Sequence, residues 1–201
     1  MNASLANLAD AVAGAAAGVA PADVARVDAA LIACITPLKL MAFDVDGVLT
    51  DGRLIYSDNG TEAKSFHTLD GQGIRLLHEG GIKIALITAR RSDLVERRAR
   101  DLGVHFCLQG VEAKQQAFGE VLDELKLTPH QAGYMGDDLL DVPVLARAGF
   151  AASVPGAPAE VRARVHYVSR AGGGHGAVRE VCELILRAQG TYAGLIAEYC
   201  K

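Results

Sequence analysis

Two carboxylates one residue apart, Asp44 and Asp46, end the apolar run Leu40-Met41-Ala42-Phe43 and are followed by Gly47 and by Thr50-Asp51-Gly52. Side chains alternate along a strand, so residues two apart start out on the same side. Acids held together in this way repel unless a cation or a shared proton relieves them. An all-oxygen, charged ligand set suits a hard ion, Mg2+. A second acid cluster, Gly136-Asp137-Asp138 with Asp141, follows the apolar run Gln131 to Met135. Thr88 ends a third run, Ile82 to Ile87, and Lys114 opens a helical pattern.

Acids that hold Mg2+, a metal and a lysine that neutralise phosphate oxygens, and a hydroxyl that positions them are the parts phosphoryl transfer uses. The chain has no Gly-x-x-x-x-Gly-Lys-Ser/Thr loop for a nucleoside triphosphate and no Gly-x-Ser-x-Gly elbow for acyl transfer. A carboxylate is then the best nucleophile on offer. Ordinary readings stand beside these. Thr88 could cap the helix that follows it, and Lys114 could be an exposed helix lysine. Asp138 and Asp141 fit orienting or capping better than metal ligation.

The groups meet only if their runs lie side by side in one direction. Short apolar runs closed by turn signals read as buried strands. They fall at 40–43, 82–87, 104–108, 131–135, 150–154 and 165–168, alternating with helices from Asp70 to His78, after the candidate cap Ser92, from Lys114 to Leu125, and from Ala177 to about Gln189, with a tail to Lys201. That alternation predicts an α/β fold, a doubly wound parallel sheet of Rossmann-like type with helices on both faces. Every strand's carboxyl end then lies on one rim, the ligand-binding rim of such sheets. Asp58-Asn59-Gly60 between Arg53–Ser57 and Thr61–His67 predicts a hairpin, because a tight hairpin turn needs positive φ. It leaves from beside the carboxylates and can serve as a flap over them.

The chain has 201 residues, half of them apolar, and a net charge of −4, which allows one sizeable domain. Residues 1–20 read as a disordered Ala/Gly-rich tail, without the Lys or Arg that begins a signal peptide. Residues 21–201 read as a single domain whose first helix starts near Pro21. The charge balance argues against a nucleic-acid partner, and no apolar run is long enough to span a membrane. Cys34, Cys107, Cys182 and Cys200 are too scattered for a disulfide framework or a zinc site, which suits a reducing, cytoplasmic compartment. Cys107 and Cys182 read as small buried apolar residues.

Asp44-Val45-Asp46-Gly47-Val48-Leu49-Thr50 resembles the first motif of the haloacid dehalogenase-like phosphohydrolases. Thr88 resembles their second motif, Lys114 their third, and Gly136-Asp137-Asp138 with Asp141 their fourth, in the family's order. The resemblance implies that Asp44 attacks phosphorus to give an aspartyl-phosphate. Asp46 would protonate the leaving oxygen and then activate water, and the catalytic set would be Asp44, Asp46, Thr88 and Lys114. Mg2+ would be held by the Asp44 carboxylate, the Asp46 backbone carbonyl and Asp137. The intervals from Asp44 to Thr88 and from Lys114 to Asp137 leave no room for the cap domain of larger relatives.

Asp44–Gly52, Asp70-Gly71-Gln72-Gly73-Ile74-Arg75, Thr88-Ala89-Arg90, Gly136–Asp141 and Gly173–Gly190 are similar to the 3-deoxy-D-manno-octulosonate 8-phosphate phosphatases, capless tetramers of lipopolysaccharide sugar synthesis. This narrower resemblance implies a phosphorylated keto-sugar acid substrate, met by Asp46, His67, Thr68, Leu69, Asp70, Gly71, Arg75, Arg90, Arg98 and Lys114. It also implies a homotetramer whose neighbouring subunits close the site. Arginine forks suit a carboxylate or a phosphate, although Arg98 could equally belong to a solvated helix face. Two departures bear on the substrate: Leu69 where many members carry a basic residue, and His175 where many carry arginine. His175 could reach a neighbour's site from a mobile glycine run or be an ordinary solvated histidine. Alternatives to the leading reading are a phosphatase of a nine-carbon keto-sugar acid phosphate, a phospho-acceptor receiver domain and an idle scaffold. The receiver is disfavoured by the absence of an acid after the third strand, which ends in Leu108-Gln109-Gly110.

Overall fold

The structure, a computed structural model, describes residues 29–201. The expected tail at 1–20 and the start of the Pro21 helix lie outside the described residues. Helix α1 (Ala29–Ile35) leads into β1 (Leu40–Phe43). A hairpin of β2 (Ile55–Tyr56) and β3 (Glu62–Ala63) follows, and then α2 (Thr68–Glu79), β4 (Lys83–Thr88), α3 (Asp93–Leu102), β5 (Phe106–Gln109) and α4 (Lys114–Leu125). The chain continues through β6 (Ala132–Met135), α5 (Val142–Leu145), β7 (Phe150–Ser153), α6 (Ala159–Arg162), β8 (Tyr167–Val168), α7 (Ala177–Ala188) and α8 (Tyr192–Tyr199).

Six strands form one sheet in the order β5-β4-β1-β6-β7-β8, and every pairing is parallel. Helices flank the sheet. β1 lies near its middle, and all four of its residues are buried, as expected of a parallel strand covered on both faces. Its register aligns Phe43 with Leu86 of β4 and Met135 of β6. The residues just past those positions therefore share one rim. β5 at the edge is only half-buried, so Cys107 is less enclosed than a core strand implies, whereas Cys182 on α7 is fully buried.

Several details differ from the sequence reading. β5, β6 and β8 each start one or two residues later than expected, because Gln131 belongs to a short 3-10 turn and His105 and His166 precede the ladder. Ser92 stands at the start of α3 but makes no side-chain capping bond; its amide donates to Gln109 Oε1 at 2.8 Å. The segment read as a tail holds α8, where Arg187 lies 3.8 Å from the Tyr192 ring centroid. The glycine run before α7 is seated rather than free. Gly174 N donates to Val48 O at 3.0 Å, and a Cβ on Gly173 would come within 1.8 Å of Gly47 O. Only glycine lets this loop lie directly on the turn that carries Asp46.

Candidate active site

β1 ends by delivering Asp44 to the rim. Asp44 N donates to Met135 O of β6 at 2.9 Å, which extends the ladder by one residue. The next residues coil into a tight turn in which the amides of Leu49 and Thr50 donate to Val45 O at 2.9 and 3.0 Å. Thr50 pins that turn: its buried hydroxyl accepts from Gly47 N at 3.3 Å and Gly52 N at 3.2 Å. Gly47 has φ +92°, and a Cβ there would come within 1.9 Å of Asp137 Oδ2. The glycine thus supplies both the turn and the clearance that lets Asp137 approach.

Lys114 stands under this cluster, at the first position of α4. Its ammonium is 2.8 Å from Asp44 Oδ2 and 2.7 Å from Asp141 Oδ1, with the side chain almost wholly buried. Asp141 is completely buried and every lone-pair direction it offers is in use. It accepts from Lys114 and from Tyr134 OH, each at 2.7 Å, and from the amides of Asp137 and Asp138 at 3.0 and 3.1 Å. A buried carboxylate with four donors is a strong fixed point. It fastens β6, the acid loop and α4 to one another.

Asp44, Asp137 and Asp141 each direct a carboxylate oxygen to within 4.8 Å of the others. Asp141 is committed to its four donors, whereas Asp44 takes one donor on each oxygen, Val45 N at 2.7 Å and Lys114 at 2.8 Å, and so keeps a lone pair on each for a cation beside Asp137. Asp137 Oδ1 is buried and accepts no hydrogen bond, as a ligand oxygen would in the absence of its ion. Burial first, and then Asp141, push the Asp44 carboxyl up to about 6 despite Lys114. Burial together with Asp44, Asp141 and Asp138 push Asp137 up to about 7. Both are acids held ready for a positive charge, so the donor set fits a hard divalent ion.

Thr88 closes β4 with its side chain buried, and its hydroxyl accepts from Arg90 N at 3.4 Å. Asp46 faces the hairpin. Lys64, just past β3, donates to Asp46 Oδ1, and its ammonium is also 3.2 Å from Glu62 Oε1. Arg90 reaches the same pair, with Nε 3.7 Å from Asp46 Oδ2 and Nη2 3.2 Å from Glu62 Oε2. Asp44, Asp46, Thr88, Arg90, Lys114 and Asp137 thus gather on one rim.

The other proposed substrate contacts fall into two groups. His67, Thr68 and Leu69 form the entry to α2, where His67 Nδ1 accepts from Leu69 N at 3.2 Å. Arg98 braces that entry: it donates to His67 O at 3.2 Å, lies over the Phe66 ring, and fills the space a Gly71 side chain would need. Asp70 is buried and turned toward α7, accepting from Gly176 N at 3.2 Å and Arg179 N at 2.8 Å. Arg75 is not brought to the cluster within this chain; it is exposed and donates to Asp101 O at 2.8 Å, beside the last turn of α3. Lys64, Glu62 and Tyr134 were not singled out by the sequence, and Thr50 stood in the first motif without a role of its own. A readable signal existed for the first two, because strand alternation puts Glu62 and Lys64 on one face of the hairpin.

A family model for haloacid dehalogenase-like hydrolases matches residues 61–149. The 3-deoxy-D-manno-octulosonate 8-phosphate phosphatase KdsC of Escherichia coli K12 is 43% identical over 164 residues, 82% of this chain and 87% of that protein. Among solved structures, the Moraxella catarrhalis 3-deoxy-D-manno-octulosonate 8-phosphate phosphatase, crystallised with magnesium ion, phosphate ion and a KDO molecule, superposes with a TM-score of 0.83. It is 42% identical, over 84% of this chain and 97% of that one. The cobalt-bound Haemophilus influenzae enzyme gives a TM-score of 0.77 at 39% identity, over 80% and 94% of the two chains. With that identity spread over nearly the whole length of its relatives, the chain belongs to the 3-deoxy-D-manno-octulosonate 8-phosphate phosphatase family of capless haloacid dehalogenase-like hydrolases.

Proposed function

We propose that this chain is a Mg2+-dependent phosphomonoester hydrolase that cleaves 3-deoxy-D-manno-octulosonate 8-phosphate to the free sugar acid and phosphate, in the supply of lipopolysaccharide precursors. The observation that carries the reading is the buried cluster of Asp44, Asp137 and Lys114 at the rim. It occurs in a chain 42% identical to a phosphatase crystallised with magnesium, phosphate and KDO. Asp44 is the nucleophile: its carboxylate attacks phosphorus, and the bond to the sugar oxygen breaks. Asp46 supplies the proton that the departing oxygen needs and later takes one from the water that hydrolyses the aspartyl-phosphate. Lys114 and Thr88 hold the phosphate oxygens, while Arg90 and the α2 entry from His67 to Gly71, with Arg98, serve the sugar acid. Asp44, Asp137 and the Asp46 backbone carbonyl would hold Mg2+. When bound, Mg2+ offsets the charge that two ionised acids and a phosphate dianion bring to one rim.

The decisive assay is phosphate release from 3-deoxy-D-manno-octulosonate 8-phosphate, a nine-carbon keto-sugar acid phosphate and generic sugar phosphates. Preference for the first supports the reading, and preference for the second moves the assignment to the nine-carbon acid. Turnover that survives a chelator or Asp44→Asn would sink the mechanism.

The same reading extends to assembly. The hairpin turns Leu54, Ile55 and Tyr56 to solvent, and a capless site gains shielding if a neighbour covers that edge. A homotetramer is the state proposed. A cytoplasmic location is proposed from four cysteines that are all free; no helix among the described residues is long and apolar enough to cross a membrane.

A further inference from the structure

Lys64 sits on the flap with its side chain only 1% exposed, turned in toward acids that remain part-exposed. An ammonium turned away from water in this way needs carboxylate partners. Here it bridges Asp46 Oδ1 and Glu62 Oε1, while Arg90 bridges the remaining oxygens of the same two acids. The four groups form a closed ring of alternating charge between flap and rim. Within it the two oxygens of Asp46 are unlike. Oδ1 receives the Lys64 donor, whereas Oδ2 is buried and accepts no hydrogen bond.

We infer that Lys64 is a positioning residue which, by occupying Asp46 Oδ1, assigns the proton-carrying role to Asp46 Oδ2 and aims that oxygen at the leaving group. This rests on the reading of Asp46 as the acid. The carbonyl oxygen of a carboxylic acid is a better acceptor than its hydroxyl oxygen, so the Lys64 donor on Oδ1 favours the acid form of Asp46 that carries its proton on Oδ2. When Asp44 forms its bond to phosphorus, the bond from phosphorus to the sugar oxygen breaks and its electron pair stays on that oxygen. The Oδ2 proton passes to the oxygen, which leaves as an alcohol. The negative charge left on Asp46 falls between Lys64 and Arg90. The flap therefore does more than cover the site, because it fixes the orientation of the acid.

Leaving-group dependence tests this on the full chain with Mg2+, by comparing kcat/KM for 3-deoxy-D-manno-octulosonate 8-phosphate with that for p-nitrophenyl phosphate, whose leaving group departs with little need of a proton. Lys64→Gln is expected to lose on the order of 10²–10³-fold on the sugar phosphate, the usual worth of a placed acid, and less than about tenfold on the aryl phosphate. Lys64→Arg, which keeps a donor on the flap, is expected to restore much of the sugar-phosphate rate. Retained aryl-phosphate turnover shows in the same experiment that each variant is folded. Asp46→Asn should show the same selective loss in the first-turnover release of alcohol or nitrophenol, the half-reaction that forms the aspartyl-phosphate. If Asp46→Asn is selective but Lys64→Gln slows both substrates equally, Lys64 only builds the flap and the inference fails. If Asp46→Asn slows the first-turnover release from both substrates equally, the acid assignment fails first and takes the inference with it.

Discussion

Asp141 shows how much of this site is done by a residue that need never touch substrate. Its four donors are Lys114, Tyr134 and two backbone amides. Asn in its place keeps one acceptor oxygen but turns an NH2 group toward donors. Asp141→Asn is therefore expected to lower stability by about 1–3 kcal/mol and to cut turnover as Lys114 loses its fixed position, measurable by urea unfolding alongside phosphate release. Asp44 and Asp137 make a second, pH-dependent prediction. Their carboxyls titrate near 6 and 7 in the folded chain against an ordinary value of 3.8. Between about pH 4 and 7 the metal-free fold keeps protons that the unfolded chain has released. Its stability from these groups is then greatest below pH 4 and declines as pH rises through that window. Mg2+ binds the ionised acids, so its stabilisation should be fullest above pH 7. At roughly a hundredfold excess over Kd it is worth about 2.7 kcal/mol, or about 5–10 °C in Tm for a chain of this size. A thermal melt at pH 8 should show that rise and one at pH 5 much less of it; equal rises would refute the linkage. The motif acids were legible because each ends an apolar run. Tyr134 was not, since an aromatic in a strand looks the same whether its hydroxyl meets water or a buried carboxylate.

At the scale of elements, the sheet was readable because its strands are buried apolar runs punctuated by Gly and Asp, and α4 begins and ends where its periodicity does. The short helices α5 and α6 escaped, having too few residues for a period to emerge, and α8 escaped because its small and apolar residues read as an unpatterned tail. The glycine run was misjudged for a physical reason. Glycine means mobility in open space but close approach when backbone packs on backbone, and sequence does not distinguish the two. Here Gly173 lies on Gly47 O and Asp70 ties down the start of α7 from another helix. Gly173→Ala should push this loop off the turn that carries Asp46. The expected outcome is loss of most phosphatase activity, with a Tm drop of only a few degrees, because the core lies below the loop. An unchanged kcat/KM would show that the loop yields without disturbing the turn.

At the scale of the molecule, one edge is unfinished. Cores take up apolar side chains until those left over are scattered, and scattered ones need no explanation. Leu54, Ile55 and Tyr56 are instead three consecutive exposed residues on a two-stranded hairpin, a unit too small to be stable by its own packing. What anchors it to this chain is electrostatic: Lys64 and Arg90 bind its Glu62, and Arg90 reaches Tyr56 OH at 3.3 Å. Ion pairs at that depth are directional but contribute little net stability. An apolar partner surface over Leu54 and Ile55 would supply the missing burial and shield the rim from water in one step. At about 25 cal/mol per Å2, burying two such side chains in every interface is enough to matter to assembly. Ile55→Asp would place a charge in the proposed subunit contact without replacing any group on the rim. Light scattering should show the variant dissociated, and kcat/KM should fall with the loss of the neighbour while the melting of the isolated domain stays close to that of the parent chain. A variant that keeps its mass but loses activity would place Ile55 against substrate instead. One that keeps both would leave the flap a lid complete within a single chain.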